Sequence, residues 1–336
     1  MTTATEYKSK PNVYCNVMAM QQGIDPAGNA GSFEDAVITE VPLPWKADMF
    51  SDESVLTKES LKLREIWFEE YQRTGKFPHR PLLIAPDDDY SVPGMRRMMF
   101  FDRPTGPFAT YQKFEYLVPE DQVGALSWTF FQDKPALSKF EEFKVPNGDQ
   151  IRDIMVCTHG TVDVACARFG IPVFKKLKKK YGSDRLRIWR VSHFGGHLFA
   201  PTLIDMPTGH YWAYVEEEQA AQIIERDGDP ADVRGHFRGW AALPNGFPQA
   251  AEREMWQQEG WDWFDYSKSC TITAQDEAQE RPKWAEVEIT FKDKSGKNGL
   301  YAARVERAVP IDTIGKTNGD KLHPYPQYSV TSLEKR

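Results

Sequence analysis

Four side chains in the middle of the chain constrain its fold more than any other feature. Cys157 and Cys166 lie nine positions apart in VCTHGTVDVACARFG, and His193 and His197 lie four apart in VSHFGGHLFAP. To act together they must be gathered from separate stretches of chain, and the flanking patterns supply a way. IRDIMVC, ending at Cys157, reads as a buried strand. DVACARFGIPVFKKLKKKYG reads as a helix with Asp163 as its N-cap and Gly182 at its end, broken or bent at Gly170-Ile171-Pro172. LRIWRVS reads as the next strand. In an open α/β sheet the carboxyl ends of strands share one edge, and sites form there. Thiolate and imidazole in one place suit zinc, copper or an iron–sulfur centre.

The HFGGH segment is not a helical zinc motif. Phe194 stands where a zinc protease needs its glutamate base. Two consecutive glycines also disfavour a helix by about 1 kcal/mol each. A glycine-rich loop instead lets backbone approach a bulky group closely.

The rest of the chain reads as α/β. The segment from Phe33 to Trp45 is a strand ending in prolines. DESVLTKESLKLREIWFEEYQRTG is a helix with Leu61, Leu63, Ile66, Trp67 and Tyr71 on its stripe and Gly75 at its C-cap. RPLLIAP, RRMMFFDRP and ATYQKFEYLVP are strands, and PEDQVGALSWTFFQDK is ambiguous. KVPNGDQ is a turn cluster, which divides an N-terminal α/β domain (1–148) from a second domain (149–245). In the latter, APTLIDMPTGHYWAYV forms a hairpin turning at Pro207-Thr208-Gly209, His210 being an ordinary strand residue, and EEEQAAQIIERDG forms a helix. The resulting β-α-β-β-α order fits a thioredoxin-like layer. A C-terminal extension (246–336) carries a β-hairpin within WAEVEITFKDKSGKNGLYAARVERA and a polar tail, GKTNGDKLHPYPQYSVTSLEKR, expected to be loose. Trp256, Trp261 and Trp263 are expected to pack in the core or between domains.

Composition removes several classes of function. A net charge of −7 argues against a nucleic-acid binder. No run approaches the length of a membrane span, and MTTATEYKSKPNVYCNV has no apolar signal region. Four cysteines in 336 residues are no disulfide scaffold, and the simplest compartment is the reducing cytoplasm.

CTHGTVDVACARFG and RVSHFGGHLFAPTLIDMPTG together resemble the sucrase/ferredoxin-like family. YCNVMAMQQGIDPAGNAGSFEDAVITEVPLPW is similar to that family's opening segment, and HFRGWAALPNGFPQAAERE to a later one. The resemblance implies a thioredoxin-like ferredoxin domain holding one [2Fe–2S] cluster, with Cys157, Cys166, His193 and His197 as its ligands. It departs from the family at Ala165, where a second cysteine often stands beside the second ligand. Nothing in the sequence supports sucrose cleavage. The chain reads as an electron carrier rather than an enzyme with its own substrate. No GxGxxG fingerprint is present, so the donor is expected to be a separate reductase. Two alternatives remain: a zinc-stabilised interaction module, which uses the same donor types, and a thiol oxidoreductase, which Cys-x8-Cys spacing disfavours.

Around the four residues, Thr158, His159, Gly160, Ser192, Gly195 and Gly196 are candidates for contacts that tune the group. Cys15 and Cys270 read as ordinary thiols. Lys175 to Arg190 holds eight basic residues and one acidic. It is either a solvated helix face or a docking patch, near the cluster, for an acidic redox partner.

Overall fold

The buried runs of the sequence become strands of one mixed sheet. The computed structural model describes residues 12–277 and 281–336. The first half comprises α1 (Cys15–Gln21), β1 (Asp35–Glu40), α2 (Lys58–Thr74), β2 (His79–Ile84), β3 (Met95–Asp102), β4 (Gln112–Pro119) and α3 (Val123–Gln132). The second comprises β5 (Arg152–Cys157), α4 (Val164–Tyr181), β6 (Leu186–Val191), β7 (Leu203–Met206), β8 (His210–Trp212), α5 (Glu217–Glu225), β9 (Phe237–Trp240) and α6 (Gly246–Glu259). The sheet order is β4-β3-β1-β2-β6-β5-β7-β8-β9. The fold is α/β. Within it β6-β5-β7-β8, with β5 and β6 parallel and β7 and β8 antiparallel to their neighbours, has the order expected of a thioredoxin-like layer. The ambiguous segment at 119–134 is mainly α3, whose Leu126 and Phe130 pack beneath Phe100 of β3.

The turn at 148–150 lies between β4 and β5, and strands from both sides of it meet in this sheet through β2 and β6. A buried charge network also crosses it. Arg187 on β6 bonds Glu115 on β4 at 2.7 Å and Asp153 on β5 at 2.9 Å. Lys113 reaches Glu115 at 3.0 Å and Asp153 at 2.5 Å, Arg97 pairs with Glu115, and the Trp189 indole donates to Asp153 at 2.8 Å. Buried charges persist only when paired in this way.

Two expectations are corrected. Helix α4 runs unbroken through Gly170 and Pro172. Pro172 gives up one internal bond, but Ala165 and Cys166 before it, and Val173, Phe174 and Leu177 after it, are all buried. Burial on both sides holds the helix in one piece. Gly170 sits so close to the strand that a Cβ there would meet the Cys157 carbonyl oxygen at 2.1 Å.

The C-terminal tail is not loose. β10 (Ser267–Gln275), β11 (Trp284–Lys292), β12 (Asn298–Ile314) and β13 (Leu322–Lys335) form a second, antiparallel sheet. The expected hairpin is β11–β12, with a strand added on each side. β13 pairs along β12 from Tyr301↔Lys335 to Ile314↔Leu322. As an edge strand it keeps most side chains in solvent, which is why its sequence reads as polar. Trp256 and Trp263 are fully buried, as expected.

The charge network yields a prediction. Burial opposes ionisation of Glu115 and Asp153, but Arg187 and Lys113 outweigh it and hold both carboxyls below their ordinary range. Their contribution to stability is therefore present above the ordinary carboxyl pKa of about 4 and is lost as pH falls through the lower folded values. Asp153→Ala, which strands Arg187 and Lys113, is expected to cost about 3–5 kcal/mol in denaturant unfolding at neutral pH. A cost under about 1 kcal/mol would show that water replaces the carboxylate.

Candidate metal centre

The parallel pairing of β5 with β6 sets Cys157 opposite Val191. The chain therefore leaves both strands at the same edge, and Ser192 and His193 emerge beside Cys157. The turn after Cys157 returns through Asp163, whose side chain caps α4 by accepting from the Ala165 N–H at 2.9 Å. The first turn of α4 then places Cys166 over the strand end. Cys157 and Cys166 are buried, and their sulfurs lie 3.9 and 3.8 Å from His193 Nδ1. The three donor atoms all lie within 4.8 Å of one another.

His197 stands apart from this group. The ring centroids of His193 and His197 are 5.7 Å apart. Nδ1 of His197 faces Cys15 Sγ at 3.3 Å and Asp163 Oδ2 at 3.6 Å, and these make a second set of three donors within 4.8 Å. Nε2 of His197 makes no hydrogen bond among the described residues. Thr317 locks the second set by donating to Asp163 from its N–H at 2.9 Å and from its hydroxyl at 2.6 Å. Cys15 read as an ordinary thiol, and Asp163 only as a helix cap. Cys15 and Thr317 reach the site from near the two ends of the chain, so no local motif announces them.

The electrostatics separate the thiols. A hydrogen bond from Cys166 and the facing His193 hold the Cys157 thiol well below its ordinary value, against the burial that opposes its ionisation. The Cys166 thiol is raised, first by sharing that hydrogen bond and then by burial. The two thiols are thus pushed in opposite directions, Cys157 toward ionisation and Cys166 away from it. Burial pushes Cys15 up to about 11 and lowers the pKa of His197, so this imidazole is neutral at pH 7. Burial opposes ionisation of Asp163, but the Thr317 hydrogen bonds outweigh it and keep the carboxylate charged.

The surrounding residues play distinct parts. His159 is buried, and its Nε2 faces the Lys46 carbonyl at 3.1 Å while Nδ1 accepts from the His193 N–H at 3.2 Å. That fixes the neutral Nε2–H tautomer, and the ring positions the backbone of His193. The His159 backbone N–H also favours the Cys157 thiolate. Ser192 Oγ accepts from the Leu83 N–H, and Thr158 Oγ1 accepts from Arg190, so both hydroxyls serve neighbouring strands. Gly160 packs where a Cβ would press on Ala167. HFGGH is a loop as expected, with Gly195 and Gly196 at φ +95° and +77°. A Cβ on Gly196 would strike the buried Arg238, which also holds the Gly195 carbonyl. Cys270 lies in β10 of the second sheet.

The basic run is partly spent within the chain. Lys178 pairs with Asp87 and Asp89, Lys176 with Glu217, and Arg187 is buried in the charge network. Lys178 is twelve residues along α4 from Cys166, or about 18 Å at 1.5 Å per residue.

Two thiols and an imidazole, buried and convergent, are a fitting donor set for a soft or borderline metal, with His197 beside them. Cobalt titration of metal-free protein is expected to give thiolate-to-metal absorption that Cys157→Ser or Cys166→Ser abolishes and Cys270→Ser preserves. Equal absorption in all three variants would place the metal elsewhere. A model of a family described as sucrase/ferredoxin-like matches residues 26–239. No curated protein and no solved structure matches the chain. Among the described residues no helix is long and apolar enough to cross a membrane.

Proposed function

Because the chain belongs to the sucrase/ferredoxin-like family, we propose that it is an electron-transfer protein carrying one [2Fe–2S] cluster, supplied with electrons by a separate reductase. The observation that carries this reading is the convergence of Cys157, Cys166 and His193 at one sheet edge, with the His197 ring 5.7 Å from that of His193. The ligands would be these four residues. When bound, the cluster supplies reversible one-electron chemistry. The protein's own part is to exclude water from the sulfurs, to fix the imidazoles, and to hold a proton.

Neutral imidazoles in place of thiolates remove negative charge near iron and raise the potential. Centres with two histidines on one iron, an analogy for this site, lie at about −150 to +300 mV, against about −400 mV for plant-type ferredoxins. The proton is held on the imidazoles. Each ligating histidine keeps a second nitrogen, and in His197 the one facing Asp163 and Cys15 is Nδ1. Added negative charge on reduction raises the affinity of such a nitrogen for a proton, so the potential is expected to fall as pH rises. A potential flat from about pH 6 to about pH 10 would refute coupled proton transfer.

The second reading is a zinc-stabilised interaction module. The compactness of the Cys157–Cys166–His193 group, which suits a single ion, favours it. A visible spectrum before and after dithionite, with iron, sulfide and zinc analysis on one anaerobic sample, separates the two. Bleachable bands with equal iron and sulfide are the expected result; a colourless chain with zinc would establish the module.

Partner docking is proposed at the exposed lysines of α4. Lys179→Glu is expected to slow reduction by the reductase several-fold at low salt and little at high salt, because steering is screened. Lys178→Glu tests a different thing, since it breaks the pairs with Asp87 and Asp89. An unchanged rate for Lys179→Glu at low salt would leave the run as a solvated face.

A further inference from the structure

Where β2 and β6 part, a cavity opens. The two strands share a single register pair, Ile84 with Val191, and Ser192 makes the next bonds between them through Leu83. Beyond this point lies a cavity of about 340 Å³, bounded by β1, β2, α2 and α3 and reached by His193. Leu63, Trp67, Phe68, Phe77 and Phe131 make its wall apolar and largely aromatic. No aspartate or glutamate lines it, but Arg64 and Arg80 do. Neither side chain has an ion pair or hydrogen bond among the described residues; Arg64 is exposed, and Arg80 is half-buried with its Nε buried without an acceptor. Arg97 and Arg187, by contrast, each pair with a carboxylate. An unpartnered guanidinium carries a desolvation cost that an anion would relieve.

We infer that this cavity is a binding site for a small, flat aromatic carboxylate. Its size is at the lower end of small-molecule sites. Facing rings favour a planar body of low conformational entropy. A guanidinium fork matches a carboxylate, and no lysine among the lining residues suggests a more highly charged phosphate. His193 lies on the cavity wall and also faces the Cys157 and Cys166 sulfurs. A bound ligand would therefore lie one side chain away from the proposed centre. Binding itself does not depend on what that centre holds.

Calorimetric titration of the full-length chain with naphthoate, and with naphthamide as its neutral counterpart, tests the assignment. One saturable site is expected for naphthoate, and naphthamide is expected to bind at least about tenfold more weakly. Arg80→Gln is expected to weaken naphthoate by a similar factor. Phe68 is 56% exposed at the rim, so Phe68→Glu leaves the core intact and is expected to weaken the anion by like charge. It serves as the test if Arg80→Gln fails to fold, and Lys321→Gln, an exposed cation of the tail, is expected to change nothing. Absence of saturable heat overturns the assignment, as does binding that neither variant alters or that naphthamide matches. Iron and zinc contents measured on the same samples keep this outcome separate from the nature of the metal centre.

Discussion

The buried network of Glu115, Asp153, Arg187, Lys113 and Arg97 is the constraint on which the rest of the structure depends. β2 and β6 meet over one register pair, which is too little backbone pairing to join two halves of a sheet firmly. The charges do the joining beside it. Each carboxylate faces at least two cations, and every member comes from a strand of the large sheet, β3, β4, β5 or β6. Fixing β5 against β6 in this way fixes the edge from which Cys157 and His193 emerge. The candidate donor group is thus held by charges buried at the other end of the same strands.

At that edge the chain builds two layers of donors rather than one ring of four. Cys157, Cys166 and His193 form the inner group. His197 faces outward through Nδ1 to Cys15 and Asp163, with Thr317 securing the carboxylate. Asp163 serves twice, capping α4 with one oxygen and facing His197 with the other. The helix that carries Cys166 and the imidazole of His197 are therefore positioned by a single carboxylate.

Much of this was legible in the sequence. The strand–helix–strand pattern around Cys157 and Cys166 is local, and so are the Asp163 cap and the glycine loop at Gly195 and Gly196. What was not legible depends on distant partners. Pro172 signals a break, but burial of Phe174 and Leu177 on the far side outweighs the lost backbone bond. The tail looks loose because an edge strand needs few apolar side chains, and its pairing partner, β12, lies upstream. Cys15 and Thr317 have no signal of their own, since only the folded chain brings them to His197. The basic run gives a charge count that omits the aspartates at 87 and 89, which neutralise Lys178.

The contact of Thr317 with both Asp163 and Cys15 has a bearing on biogenesis. The inner donors are synthesised by residue 193, and the large sheet by residue 240. The outer shell of His197 cannot close until residue 317 has left the ribosome. A nascent chain therefore exposes a thiol and an imidazole that the finished protein covers. A chain lacking Thr317 would lose its hydrogen bonds to Asp163 and Cys15 and leave the outer side of His197 more open.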